Sequence, residues 1–227
     1  MKKLFIAASA LLLTTGTFAQ TKMGGTDVRF GLKAGVNLSR VHYTNDYSNL
    51  NDYVKDNVGF NVTGYGDFGI ANNFFIQPGI TLQNKGTNIE LKDENNQAIN
   101  TMKSSLMSID VPVNAVLRIP TGDAGAVQIS AGPYIGFNIS GKEKIELNTG
   151  AATGSTERDY KFGSSTDDDV SSIDYGANFG LGYRLNSGLT LGANYGLGFA
   201  NMVPKDKVTN NSKGTNRILG FSVGYSF

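Results

Sequence analysis

Arg217-Ile218-Leu219-Gly220-Phe221-Ser222-Val223-Gly224-Tyr225-Ser226-Phe227 is the stretch whose reading decides the fold. Leu219, Phe221, Val223, Tyr225 and Phe227 are large and apolar, whereas Gly220, Ser222, Gly224 and Ser226 between them are small. The segment therefore alternates with the period of a strand. A strand with one face in water would carry Lys, Glu or Thr on that face. Gly and Ser suit a crowded, narrow interior instead.

The same pattern recurs throughout the chain. Residues 28–41 set Phe30, Leu32, Ala34, Val36 and Leu38 against Arg29, Gly31, Lys33, Gly35, Asn37 and Ser39. Further alternating segments are expected at residues 58–70, 74–91, 106–119, 126–140, 173–185 and 189–199, with 217–227 the eighth. Between them, residues 71–73, 120–125 and 186–188 read as tight turns by their Asn, Gly and Pro content. Polar stretches at 42–57, 92–102, 141–170 and 201–214 read as long loops. Long and short connections alternate strictly, which is the asymmetry of an outer-membrane barrel. A hydrocarbon band of about 25 Å crossed at ~40° needs roughly ten residues per strand, and each segment supplies them. The expected fold is all-β: an eight-stranded antiparallel up-and-down transmembrane β-barrel, with both termini periplasmic.

Composition agrees. The 227 residues include 29 Gly, no Cys and a single His, which removes disulfides, thiolate metal sites and most zinc chemistry. No apolar run reaches the ~20 residues of a spanning helix. Lys2 and Lys3, the apolar run at 4–13 and Thr17-Phe18-Ala19 make residues 1–19 a cleaved secretory signal peptide, leaving residues 20–227 as the barrel domain. Its removal takes the formal net charge from +1 to −1, and nothing points to a nucleic-acid partner.

A strand ending on an aromatic residue, with apolar residues at every second position before it, resembles the closing strand of Gram-negative outer-membrane barrels. In that family the barrel assembly machinery reads this strand. The resemblance implies an assembly signal at Phe221, Val223, Tyr225 and Phe227. The whole chain is similar to the small eight-stranded barrels of the OmpA/OmpX structural class. Residues 30–39, Gln77-Pro78-Gly79, Ile109-Asp110-Val111-Pro112 and Ala131-Gly132-Pro133-Tyr134 resemble more narrowly the PorT-type outer-membrane barrel family. That narrower resemblance implies a place in the cell envelope and a link to protein secretion. Unlike longer proteins of the class, no peptidoglycan-binding domain is expected after Phe227.

Alternation turns Arg29, Lys33, Asp67, Asp110, Arg118, Asp174 and Arg184 inward, where charges must be paired or wet. A lumenal ion-pair network plugging the barrel is the expectation, with a narrow pore for small solutes or ions as the alternative. Pro78, Pro112 and Pro133 fall inside strands, so bulges or strand ends are expected there. A soluble two-sheet sandwich would place them at edges, yet it leaves the paired glycine and aromatic faces unexplained. Outward aromatics including Phe60, Phe68, Tyr175, Tyr183, Tyr195 and Phe199 read as interfacial belts.

Motifs for chemistry are weak. The glycines of residues 64–69 match a dinucleotide loop but lie within a strand. Asp167-Asp168-Asp169 could hold a hard cation, though an acidic loop run is ordinarily solvated. His42 at the outer end of the first strand has Ser39 nearby, but Ser39 faces inward and no motif supplies a carboxylate. No catalytic residue, cofactor or metal is expected. Residues 141–170 carry net charge −3 and residues 201–214 net +2, which could orient a partner. The reading is a monomeric, non-enzymatic integral protein of the cell outer membrane, acting structurally or through its extracellular loops. Outer-membrane lipid, lipopolysaccharide and the assembly machinery are the expected partners. A subunit of a secretion or envelope machine is the alternative.

Overall fold

The computed structural model describes residues 28–92, 98–148, 153–205, 208 and 212–227. The expected signal peptide lies outside the described residues. The strands are β1 (Val28–Tyr43), β2 (Val54–Ala71), β3 (Phe74–Lys92), β4 (Ala98–Pro120), β5 (Gly125–Asn148), β6 (Thr153–Asp159), β7 (Ile173–Leu185), β8 (Leu189–Gly198) and β9 (Gly214–Ser226). All neighbours are antiparallel in the order β4-β3-β2-β1-β9-β8-β7-β5-β6, and a further β4–β5 pairing closes eight of the strands into a ring. The expected barrel is therefore present, with β6 outside the ring and attached to β5.

Closure joins the decisive stretch to the first strand. β9 pairs with β1 from Gly31↔Ser226 to Tyr43↔Gly214, with Leu32↔Tyr225, Ala34↔Val223 and Val36↔Phe221 along the outer face. Inside, Gly31 leaves space that the Tyr65 ring fills: a Cβ on Gly31 would stand 2.3 Å from that ring. The ring crosses beneath β1 and its hydroxyl meets Ser226 Oγ at 3.1 Å. Three adjacent strands are thus tied together at the closure.

The molecule is inside-out. Asn37, Asp67, Lys85 and Asp174 are at most 1% exposed, while Val58 is 71%, Ile80 62% and Leu181 61% exposed. Ordinary soluble domains bury the second group and expose the first. Such a surface is stable only where the solvent is itself apolar. The outward aromatics Phe60, Tyr175, Tyr195 and Phe199 belong to it, whereas Phe68 and Tyr183 are half-buried, Tyr183 bonding Thr121 at 2.7 Å.

The prolines neither end strands nor create bulges. At each, pairing lapses briefly and resumes in the same register: Tyr65↔Gly79 then Phe68↔Ile76 around Pro78, Thr81↔Asp110 then Pro78↔Val113 beside Pro112, and Pro112↔Tyr134 then Ala115↔Ala131 around Pro133. Long flanking ladders on both sides absorb each lost bond. Register shifts occur elsewhere, notably between Met107 and Ser108, opposite which Ile139 is the extra residue on β5.

Three short turns lie at one end, at residues 72–73, 121–124 and 186–188, and Asn73, Gly122 and Gly188 supply the positive φ they need (66°, 81° and 94°). At the other end the strands outrun the expected segments. Residues 42–57 reduce to a 3-10 turn, Asn45–Asp52, and residues 141–170, expected as loop, contain the end of β5 and all of β6.

A Cβ on Gly35 would stand 1.9 Å from the Phe221 carbonyl oxygen. Gly35→Val is therefore expected to block the β1–β9 closure. Wild-type protein should run faster unboiled than boiled on a detergent gel, and the variant should lose that difference. Retention of the difference would show that the closure tolerates the side chain.

Candidate functional site

Two clusters of charge occupy the lumen. Nearer the turn end, Asp67 on β2 receives Arg118 from β4 and Arg184 from β7, the latter at 3.5 Å. Gln77 Nε2 donates to the same carboxylate at 3.5 Å, and the Arg118 guanidinium lies 3.8 Å from the centroid of the Phe75 ring. Arg29 is the β1 residue directly across from Asp67. Nearer the loop end, Lys85 on β3 stands 2.9 Å from Asp110 and 3.0 Å from Asp174. Ser108 and Gln83 also donate to Asp110. Tyr134 Oη and Asn216 Nδ2 donate to Asp174 at 3.2 and 2.8 Å.

Gly136 is what lets the second cluster assemble. It pairs with Asp110 on one side and Asp174 on the other, and a Cβ there would stand 2.4 Å from the Asp110 carboxylate. Between the clusters are two small polar cavities of about 70 Å³, both lined by Lys33. Lys33 Nζ sits 5.5 Å from the Tyr65 ring centroid and makes no ion pair among the described residues.

Lys85 is the residue that sequence reasoning missed. The inward series Phe75, Gln77, Gly79, Thr81 and Gln83 reaches it in one further step of two. The apolar partners that make the series visible stop at Leu82, because position 84 is Asn.

Above the apolar band the wall continues as a charged sheet made of the far ends of β3, β4 and β5 together with β6. Lys103 on β4 and Lys144 on β5 meet Glu146 at 2.8 and 2.7 Å. Lys142 meets Glu157 on β6 at 2.5 Å, and Arg158 bridges Glu143 at 2.6 Å and Asp169 at 2.8 Å. Two residues of the acidic run are engaged within the protein: Asp168 accepts from the Ser165 backbone and hydroxyl, and Asp169 from Arg158 and the Lys161 amide. No set of three or more His, Cys, Asp or Glu side chains able to hold a metal occurs among the described residues. Ser39 is buried inside while His42 is exposed on the outer face, so the two cannot act together.

The family described as outer membrane protein beta-barrel domain matches residues 18–203. The chain belongs to that family. No curated protein matches it in sequence. Solved structures similar to it include Ail, the attachment invasion locus protein of Yersinia pestis, with TM-score 0.38 and 15% identity over 88% of this chain and 98% of that one. Neisserial surface protein A gives TM-score 0.38 and 14% identity over 87% and 95%. OprG from Pseudomonas aeruginosa gives 0.41 and 10% over 88% and 95%. As a member of this family the chain is an integral outer-membrane protein, and its exposed apolar band faces lipid.

Removing one partner of a buried ion pair strands the other in a medium that cannot solvate it, at a cost of about 3–5 kcal/mol. Lys85→Met is expected to lower unfolding stability by about that much in a urea titration from lipid vesicles. Adding Asp110→Asn and Asp174→Asn should recover most of the loss, since the stranded charges are then gone. A Lys85→Met variant as stable as wild type would show that the cluster carries no net coupling.

In the charged sheet, hydrogen bonds from Lys103 and then Lys144 pull the Glu146 carboxyl from 4.5 down to about 2. A carboxylate lowered on folding contributes its stabilisation above the ordinary value and loses it as pH falls through the folded one. The Glu146 side-chain carbon, followed by NMR in micelles, should titrate with a midpoint near 2. Lys103→Ala should raise that midpoint, as should high salt, which screens exposed pairs. A midpoint at 4.5 in the wild type would show that these pairs do not persist in solution.

Proposed function

We propose that the protein is a non-enzymatic outer-membrane barrel that works by contact, through the charged sheet rising from its long-loop end. The observation that carries this reading is β6. Among the described residues it pairs only with β5, and all seven of its residues are exposed. An unpaired strand edge is a template for adding another strand, and proteins usually cover or blunt it. Here it lies outside the closed ring, as the outermost strand of the rising sheet, and carries alternating charge, as a surface selecting one partner would.

In this reading the long-loop end faces the cell exterior, and the short turns and both termini face the periplasm. The even number of ring strands and the tight turns at the opposite end support that orientation. Phe221, Val223, Tyr225 and Phe227 serve as the assembly signal; the first three point outward from β9 and are 46–54% exposed. The barrel acts as a monomer in lipopolysaccharide-containing membrane. The contacted protein belongs to the envelope or to a secretion machine, in keeping with the PorT-type resemblance of residues 30–39 and the three proline motifs.

The lumen, in the same proposal, is a plug. The two ion clusters stand one above the other, and the spaces between them hold only a few waters at about 70 Å³ each. Reactive groups placed in each long loop and each short turn should capture one recurrent protein in cells, from the sheet side, and deleting residues 141–170 should release it. Capture from the short turns alone would overturn the assignment of the contact surface. In a planar bilayer the wild type should be electrically silent, and conductance steps altered by Arg118→Ala would replace the plug with a pore.

A further inference from the structure

The outer face carries a feature that neither the plug nor the sheet uses. Arg40 on β1 and Arg217 on β9 are direct cross-strand partners, and both point outward. Like charges in that position repel at a separation of about 5 Å. One of them is neutralised: Arg40 Nε and Nη2 donate to the two oxygens of Asp56 on β2 at 2.7 and 3.1 Å. Arg217 has no carboxylate partner among the described residues. Its Nη1 donates to the Gly198 and Asn216 carbonyls and to Thr215 Oγ1 at 2.9–3.0 Å, which fixes the guanidinium in place. The row therefore keeps one uncompensated, oriented cation.

Its height is equally specific. From Phe30 the outward residues of β1 are Leu32, Ala34, Val36 and Leu38 before Arg40. Ten residues at 3.3 Å, tilted ~40°, rise about 25 Å, one hydrocarbon thickness. The arginine row stands at the edge of the lipid band, where headgroup phosphates lie. A notch of about 370 Å³ opens there, walled by Arg40 with its partner Asp56, by Arg217 and by His42, and floored by Leu38, Leu219 and Tyr195.

We infer that this notch binds the headgroup phosphate of a phosphorylated glycolipid in the leaflet at the long-loop end. The phosphate is held chiefly by the uncompensated Arg217, as charge-assisted bonds to guanidinium favour, and reaches Arg40 only through the Nη1 that the Asp56 pair does not use, while an acyl chain runs down over Leu219 and Leu38. The apolar floor is why the occupant is a lipid rather than a free anion. The inference rests on the orientation proposed above.

The test uses folded protein in neutral detergent, with bound lipid counted by native mass spectrometry. The probes are bis-phosphorylated lipid A, the same lipid with its phosphates removed, and inorganic phosphate. Wild type should retain one lipid A, with at least about tenfold weaker binding of the dephosphorylated lipid and no competition from millimolar phosphate. Arg217→Ala, and Arg40→Ala with Arg217→Ala, should lose about tenfold or more in affinity, as expected for a lost charge-assisted bond. Lys205→Ala, which removes an exposed cation from the last long loop, should bind as wild type does. Equal binding by wild type and the arginine variants, with both still showing heat-dependent gel mobility, would overturn the site. Effective competition by phosphate would overturn the lipid as its occupant. Orientation has its own readout: Ser48→Cys in the 3-10 turn should react with an impermeant maleimide on intact cells. Absence of that reaction overturns the placement of the long-loop end while leaving the binding result to stand by itself.

Discussion

Everything in this molecule depends on closing a ring of backbone hydrogen bonds in a medium that offers none in exchange. Hydrocarbon cannot satisfy an open strand edge, so β1 and β9 must meet along their whole length. Eight strands then fix a diameter at which the interior is just filled by side chains. The glycines follow from that diameter. Gly31 gives way to the Tyr65 ring and Gly136 to the Asp110 carboxylate, and Gly132 comes so near β4 that a Cβ would meet the Val113 carbonyl at 2.0 Å. The prolines test the same constraint from the other side. Three adjacent strands each lose a bond or two without shifting, because a ring of long ladders leaves no alternative register open.

A lumen this narrow leaves charge little water to borrow. Two carboxylates around one lysine, and two guanidiniums around one carboxylate, are opposite solutions to the same desolvation cost. The clusters differ in net sign, so each also stabilises the other along the axis. Lys33 lies between them, against the Tyr65 ring and the two polar cavities. Hydroxyls and amides complete the shells: Ser108 and Gln83 on Asp110, Tyr134 and Asn216 on Asp174. Removing any carboxylate therefore disturbs several strands at once, which makes the interior a clamp on the ring.

The fold was legible because lipid imposes a two-residue period on every strand that crosses it. Phe30 to Leu38 on β1, or Leu219 to Tyr225 on β9, could be assigned to a face from alternation alone. Legibility ended where lipid ends. Lys85 falls one step past the last apolar partner, Leu82, although it is fully buried. The extra residue at Ile139 inverts the facing of β5, so that Gly141 and Glu143 turn inward where even-numbered positions did so below. β6 reads as Thr-Gly-Ser-Thr-Glu-Arg-Asp, with no apolar member to mark a strand. Its pairing comes from cross-strand charge, a pattern that a loop also carries. The arginine row was hidden differently: Arg40 and Arg217 are far apart in sequence, and only the β1–β9 register makes them neighbours.

The same wall therefore serves three media, and its chemistry changes at each boundary rather than at element ends. β3, β4 and β5 run unbroken from the turns through lipid and into water, keeping their pairing while their side chains change from apolar to charged. The crossing part is constrained twice, by lipid outside and crowding inside, and few sequences satisfy both. The rising sheet is constrained only by its own pairing and by the register handed up from the barrel below. Residues there can alter without threatening closure, provided that cross-strand charges still match. The rim between them, where Arg40 and Arg217 sit, is the level at which the apolar band gives way to the first charged row. A side chain at that level can anchor the barrel's depth while leaving both the ion clusters below and the charged sheet above unchanged.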